Sequence, residues 1–379
     1  MGAGVIGASV AWHLAARGAK DVVVVDAAAG PGGGSTAAAT GGFRAQYATA
    51  INVRLSLLAR AKLLRFAHEI GADPGFRQAG YLWIATDAAQ LRTLAAARAV
   101  QHAEGLHEAV EVSPSEIARL QPAVKLDGIL GGAFCPTDGF IQPRAIQDGY
   151  REAATRLGVS FVWGERVIGF DFDAADAIAA VWTSRDAIAC DAVVNAAGAW
   201  AGPLAKLAGV DLPVVPLRRQ MAVTVPTRAI SPDAPMTLFC GDGFHFRERD
   251  GRVIVSWPTP GNPDDPFDTR VEPAWLEAVA VKKEALVPAL RGVPLDPKGC
   301  WAGLYEMSPD RHALVGPAPS VRNFFLVNGS SGHGVMHAPA LGQLLAELIL
   351  DGKAASLDAT VLAPDRFALG RAIAAPEVL

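Results

Sequence analysis

Three glycines open the chain at a spacing with chemical meaning. In MGAGVIGASVAWHLAARG, Gly2, Gly4 and Gly7 follow the pattern G-x-G-x-x-G, with Val5 and Ile6 between the last two. Such a loop turns tightly and brings backbone N–H groups against a pyrophosphate. It also lets the following helix approach its sheet with its positive end aimed at the phosphates. An acid about 20 residues further on is expected to hold a ribose hydroxyl. Asp26 falls 19 residues after Gly7, closing the valine run of DVVVVDAAAG. A dinucleotide site follows. A buried strand normally precedes such a loop and here only Met1 does, so the first strand is expected to be missing, as a late start or a trimmed sequence would leave it.

Other chemistries find less support. Cys135, Cys190, Cys240 and Cys300 lie far apart with no C-x-x-C spacing, which excludes a zinc knuckle or disulfide framework as an expectation. The histidines form no H-E-x-x-H array, so no metal is expected. A net charge of −4 gives no electrostatic reason for nucleic acid or an anionic membrane. The longest apolar runs, such as ALGQLLAELIL, are too short to span a bilayer, and no leader opens the chain; a cytoplasmic protein is expected. With 51% hydrophobic residues, 379 residues suffice for two domains.

The elements that must position the loop follow from periodicity. Residues 8–18 read as a helix and the valine run as a buried parallel strand. The glycine- and alanine-rich AAAGPGGGSTAAATGGFRAQY then falls at the carboxyl edge of the sheet, where open α/β folds bind ligands, and leads to a helix over about 49–70. AGYLWIAT and GGAFCPTDGFIQP read as strands and turns, separated by helical 86–104 and by SPSEIARLQP with Ser113 as N-cap. PRAIQDGYREAATRLGV is an amphipathic helix; SFVWGERVIGFDFD and DAIACDAVVNAAGAW supply further strands. Residues 213–300 have an antiparallel, half-exposed texture apart from a helix at 273–291. NFFLVNGSSGHGVMHAPALGQLLAELILDG returns to strand, glycine-rich turn and helix.

Taken together, GAGVIGASVAWHLAARG, GGGSTAAATGGFRAQY, GGAFCPTDGFIQP, VVNAAGAWAGPLAKLAG, PLRRQ, GLYEMSPDRHALVG and GSSGHGVMHAPALGQLLAELI span nearly the whole chain. In that order they resemble the FAD-dependent amine and amino-acid oxidoreductases of the D-amino acid oxidase superfamily, in the branch of sarcosine oxidase, glycine oxidase and proline dehydrogenase β-subunit. The resemblance implies an α/β fold: a Rossmann-like FAD-binding domain in pieces (1–80, 145–212 and 300–379) with an inserted mixed or antiparallel-sheet substrate domain (81–144 and 213–299). It implies FAD as cofactor. Gly2, Gly4, Val5, Ile6, Gly7 and Asp26 would hold it, with Ser35 and Thr36 beside the phosphates or flavin edge and Gly41 and Gly42 in the same glycine-rich stretch. Val167 would lie against adenine, and Ala197, Gly198 and Trp200 of NAAGAW beside the adenosine. Gly303 and the turn Gly329, Ser331, Gly332, His333, Gly334 and Val335 would lie at the flavin, the turn meeting the reduced ring with a helix N-terminus.

On the substrate side, Arg44 matches the arginine that holds the substrate carboxylate in monomeric sarcosine oxidase, and a guanidinium suits a carboxylate. Tyr305 matches an active-site tyrosine of that enzyme, where D-amino acid and glycine oxidases carry an arginine. His245 and His333 are candidate catalytic histidines, with a satisfied structural role as the alternative; one of Arg218 and Arg219 would add positive potential to the pocket, or both belong to solvated surface. Gly303 replaces the flavin-linking cysteine, Cys300 lies three residues too early, and Pro143 and Ala37 stand where relatives place linking histidines, so FAD is expected to be non-covalent. Met336 replaces a carboxylate-binding lysine. No lysine occurs in 241–260, where monomeric sarcosine oxidase places its oxygen-activating lysine, and by that resemblance a dehydrogenase is expected. The expected reaction is oxidation of the C–N bond of a small secondary or N-methylated amino acid, with hydride passing to flavin N5 and the imine hydrolysing. Oxygen or another acceptor would take the electrons, and partner subunits are possible. Two alternatives stand: a flavin dehydrogenase of a 2-hydroxy acid or polyol, and a non-catalytic FAD-binding subunit of a larger oxidoreductase. An NAD-dependent dehydrogenase ranks third, disfavoured by GSSGHG and the inserted sheet.

Overall fold

The computed structural model describes residues 1–259 and 261–374; residue 260 and residues 375–379 of the two expected domains lie outside the described residues. The valine run forms β1 (Val23–Asp26), buried at its centre and paired in parallel with β7 (Ser160–Trp163). A second group joins β11 (Val193–Asn195) in parallel to β18 (Phe324–Asn328), which pairs antiparallel with β17 (Leu314–Pro317). Between the two groups lie Met1 and Gly2. The Gly2 amide donates to Val25 O (2.8 Å), Met1 N donates to Val194 O (2.7 Å), and the Ala196 amide donates to Met1 O (2.9 Å). Met1 and Gly2 therefore bridge the β1–β7 pair and the β11–β18–β17 group beside the glycine loop.

Helix α1 (Val5–Ala16) springs from that loop. It packs on α9 (Gly334–Asp351) and α6 (Pro143–Arg156), and α3 (Ala50–Ile70) covers α9 in turn. The largest hydrophobic cluster lies among these helices, from Val10 through Phe66 and Tyr150 to Leu344. The approach of α1 to α9 is close enough for Ser9 Oγ to donate to Ala338 O at 2.8 Å. Beside this part, β8 (Val167–Phe172), β9 (Ile178–Thr183) and β10 (Ala187–Ala189) form a small antiparallel sheet, followed by the short α7 (Ala201–Leu207).

The other body is a mixed eight-stranded sheet. Its order is β16 (Trp301–Met307), β12 (Val215–Val223), β15 (Arg252–Ser256), β14 (His245–Arg249), β13 (Met236–Phe239), β3 (Tyr81–Ala85), β5 (Gly131–Cys135) and β4 (Val110–Val112). The strand at 301–307, expected in the FAD-binding part, is thus an edge of this sheet, paired with β12 over seven residues. One face carries α4 (Ala88–Ala103), another cluster gathers α5 (Pro114–Leu120) and α8 (Pro273–Leu286). Ser113 caps α5 as expected, and Glu116 completes a capping box with it. The helix expected over 273–291 ends at Leu286, because Val287 leaves helical geometry ahead of Pro288. The two bodies meet through α2 (Ser35–Ala38), which packs on β16, and through β2 (Gly42–Phe43), which pairs with β6 (Gly139–Phe140).

Candidate active site

A cleft of about 760 Å³ runs between the two bodies. One end is lined by Val167 and Trp200, the middle by the glycine loop and Ser35–Thr36, the far end by Gly303, Tyr305, Gly332 and Arg219. Of the expected cofactor residues, Gly2, Gly4, Val5, Ile6, Asp26, Ser35, Thr36, Val167, Ala197, Gly198, Trp200, Gly303, Gly332, Gly334 and Val335 all line it.

Six others do not. Gly7 lets α1 fold back on its own loop: a Cβ there would meet Gly2 O at 1.9 Å. Gly41 O accepts from the Ile141 amide and from Arg247, and Gly42 pairs in register with Phe140. Gly329 and Ser331 shape the turn, with Ser331 Oγ donating to Gly329 O and accepting from the Ser308 amide. His333 turns away towards Arg44.

The lining suits a nucleotide. The Asp26 carboxylate accepts one backbone N–H on each oxygen, from Ala3 (2.7 Å) and Ala28 (2.8 Å). That fixes its plane and leaves lone pairs for hydroxyls. Helices α1 and α9 both begin at the cleft, and neither N-cap residue supplies a side-chain cap; only Thr36 Oγ1 reaches the Val5 amide, at 3.1 Å. Two positive helix ends therefore face one cavity. Among the described residues Gln147 Oε1 of the lining is buried without a hydrogen-bond partner, and Glu306 Oε2 and Ser330 Oγ, which lie near each other, make no bond of good geometry. Orphaned groups of this kind are expensive unless a ligand answers them. Burial pushes the Glu306 carboxyl up to about 7. Neither Gln147 nor Glu306 stands out in the sequence, where each sits in a run that reads as ordinary helix or strand.

The far end is built on one face of the eight-stranded sheet. Cross-strand register puts Trp83, Leu238, His245, Ser256, Met221 and Trp301 in a single row. Because side chains alternate along a strand, Arg219 and Tyr305 share that face, with Arg219 opposite Gly303 and Leu217 opposite Tyr305. Gly332 has φ +93°, and a Cβ on it would meet the Tyr305 ring at 2.7 Å, so the turn before α9 rests directly on that ring.

Arg44 follows β2 and lies over this face. Its Cζ is 4.2 Å from the centroid of Tyr47 and 4.8 Å from that of Trp83, a sandwich that orients the guanidinium plane. Nη1 donates to Gln46 O (3.2 Å) and Nη2 approaches His333 Nε2 at 3.3 Å. A guanidinium only donates, so His333 accepts through Nε2 and carries its proton on Nδ1. Burial, then the charge of Arg44, holds His333 well below the usual imidazole range. Its neighbour His337 is lowered to about 3 by burial, again with Arg44 adding to it, and shares a hydrogen bond with Ser56 Oγ (2.8 Å).

His245 is wired differently. Its Nδ1 lies 2.8 Å from Gly243 O and must donate, which leaves Nε2 as a free acceptor; burial lowers its pKa as well. The sequence candidates Arg44, Tyr305, His245 and His333 thus come together, but the two histidines differ in availability.

Two positioning residues escaped the sequence reading. Asp138, fully buried, accepts from the Ala45 amide (2.8 Å) and Gln46 Nε2 (3.2 Å), the residues directly after Arg44; burial pushes it up to about 7. Arg247, buried over Phe140, donates to Thr40 O and Gly41 O just ahead of β2. An acid inside the apolar GGAFCPTDGFIQP was the one available signal.

A family model described as DAO, FAD dependent oxidoreductase, matches residues 1–348. The FAD-dependent oxidoreductase domain-containing protein 1 of Xenopus laevis is 27% identical over 411 residues, covering 97% of this chain and 81% of that protein. The mitochondrial dimethylglycine dehydrogenase of Rattus norvegicus is 29% identical over 389 residues, 97% of this chain and 44% of that protein. Among solved structures, L-proline dehydrogenase from P. horikoshii superposes with a TM-score of 0.88 at 27% identity, covering 97% of this chain and 96% of that one.

Proposed function

The chain belongs to the DAO family of FAD dependent oxidoreductases, and from that premise we propose that it oxidises the C–N bond of a small secondary or N-methylated amino acid. The observation that carries the reading is Arg44: a guanidinium sandwiched by Tyr47 and Trp83, held by His333, and without a carboxylate partner among the described residues. It offers the bidentate edge that a substrate carboxylate requires. Tyr305 rather than an arginine lines that end of the cleft, and its likeness there to monomeric sarcosine oxidase supports a secondary or N-methylated amine over a primary amino acid. FAD supplies the hydride acceptor.

An ammonium must lose a proton before its lone pair can assist C–H cleavage. His245 is suited to take it, since its Nε2 is free and its imidazole neutral; His333 is not, since its Nε2 is engaged by Arg44. His333 and Asp138 act instead as positioning residues, one on the guanidinium and one on the loop behind it. FAD is bound without a covalent link, for no cysteine or histidine lines the cleft among the described residues.

The test is anaerobic bleaching of the FAD-loaded protein by sarcosine, by proline and by matched 2-hydroxy acids. Bleaching by the amines, lost in Arg44→Ala, is expected. Bleaching by hydroxy acids alone moves the reading to alcohol oxidation, and bleaching by neither leaves a binding subunit.

A further inference from the structure

The sheet face above the substrate end carries more positive charge than one carboxylate needs. His245, Arg247 and Arg249 alternate along β14 and so point the same way, towards the side that also bears Arg219 and, over Trp83, Arg44. Among the described residues no carboxylate lies within ion-pair distance of any of these four arginines. Two have structural occupations: Arg247 clamps Thr40 and Gly41, and Arg249 lies over the Trp301 ring at 5.3 Å. Arg218, next in sequence, points to the opposite side and pairs with Glu272. Arg219 is held more loosely than either. It lines the cleft, its Cζ is 5.8 Å from the Tyr305 ring, and among the described residues its side chain makes one hydrogen bond, to the carbonyl of Arg218 at 3.2 Å.

Arg44 and Arg219 bear on the same two groups. Both guanidinium charges act on the Tyr305 hydroxyl and on His245. A small amino acid seated between them with its carboxylate on Arg44 leaves Arg219 half-buried and unanswered. A desolvated cation without a partner is costly, and a second anion on the ligand removes that cost. We propose that Arg219 is a second anion-binding residue of the substrate site, and that the preferred substrate is a secondary or N-methylated amino acid bearing a second carboxylate. The inference rests on the reading that Arg44 takes the first carboxylate.

Two probe pairs test it in the FAD-loaded protein. Sarcosine and iminodiacetate are secondary amines that differ by one carboxylate. Methoxyacetate and oxydiacetate repeat the pair with an inert ether oxygen, and their binding is read as a perturbation of the flavin absorbance without turnover. The dicarboxylate member is expected to be favoured on the order of 10- to 100-fold, in kcat/KM for the amines and in Kd for the ethers, the scale of a hydrogen-bonded charge. Arg219→Gln should erase that ratio and Arg219→Lys should keep part of it. Equal treatment of both members by the wild-type protein overturns the proposal. So does an Arg219→Gln variant that keeps the ratio while shifting the flavin potential, which assigns the arginine to the cofactor. If Arg219→Gln does not hold FAD, the wild-type ratio and the Lys variant decide. Arg219-dependent preference for oxydiacetate with no flavin reduction by either amine supports the anion subsite and overturns the amine chemistry instead.

Discussion

Replacing Arg44 by lysine separates charge from geometry at the centre of the site. Lysine keeps the positive charge but loses the planar fork and its stacking between Tyr47 and Trp83, at 4.2 and 4.8 Å. Two cation–π contacts of about 0.5–1 kcal/mol each and one charge-assisted hydrogen bond of about 1.5–3 kcal/mol are at stake. Not all of this appears in binding, so a loss of about 2–4 kcal/mol is expected. At about 1.4 kcal/mol per factor of ten, that is roughly 30- to 1,000-fold in kcat/KM. The loss should fall mainly on KM, because the carboxylate is held in ground and transition states alike. Steady-state kinetics with a saturating acceptor, joined to the anaerobic rate of flavin bleaching, separates the two constants; the flavin spectrum and melting temperature check the fold. A variant within twofold of wild type refutes the carboxylate role. One that sheds FAD but turns over normally per bound flavin makes Arg44 a structural residue.

Gly7→Ala puts a methyl where Gly2 O lies 1.9 Å away, so α1 must shift; flavin retained after dialysis and the melting temperature should both fall, the latter by an overpacking cost of about 1–3 kcal/mol. Asp138→Asn keeps an acceptor for the Ala45 amide but sets an NH₂ against Gln46 Nε2, which also donates to Tyr81 O at 2.9 Å; about 1–3 kcal/mol of stability should go, with a raised KM. Acid stability should follow the buried histidines. His13 and His337 titrate near 3 when folded against an ordinary 6.5, so the unfolded chain takes up protons that the fold refuses, and stability present above pH 6.5 is lost as pH falls towards 3. Asp138 and Glu306, raised to about 7 from 3.8 and 4.5, act in the opposite sense: the fold keeps their protons, and their contribution is lost as pH rises through 7. The two pairs oppose each other between about pH 4.5 and 6.5. Below about 4 that opposition ends and the histidines act together with carboxylates held low, such as Asp268 and Asp310; His13→Gln should take about 1.4 kcal/mol per pH unit off that limb of a denaturation series.

What the sequence made legible is what is local. The glycine loop, Asp26, the N-cap at Ser113 and the amphipathic α6 are all written within one or two turns of chain, and each appears where its spacing puts it. Arg44, Tyr305 and the two histidines were legible through family likeness, not through spacing. The positioning layer was not legible in either way. Asp138 reaches its partner Ala45 across 93 residues, and Arg247 reaches Thr40 across 207, so no periodicity connects them. The strand WAGLYEM has the same alternation whichever sheet it joins. Only its seven-residue register with β12 settles that, and with it the fact that Tyr305 and Arg219 face one way.

That register also explains the electrostatic state of the site. A sheet face holding several guanidinium groups would ordinarily recruit the nearest acids and neutralise itself. Here Asp138 and Glu306 are buried deeply enough to sit near 7, so neither is a permanent counter-ion, and His333 and His245 are kept neutral by the same burial. Charge on the substrate side is therefore left to arginine, which does not give up its proton. A site in that condition is completed by an anion from outside, and an anion that binds only the folded protein must stabilise it. A non-reactive dicarboxylate at a hundred times its Kd should raise the unfolding free energy by about 2.7 kcal/mol, and Arg44→Ala should abolish most of that gain. A melting temperature indifferent to such anions would mean that the arginines answer one another's surroundings and not a ligand.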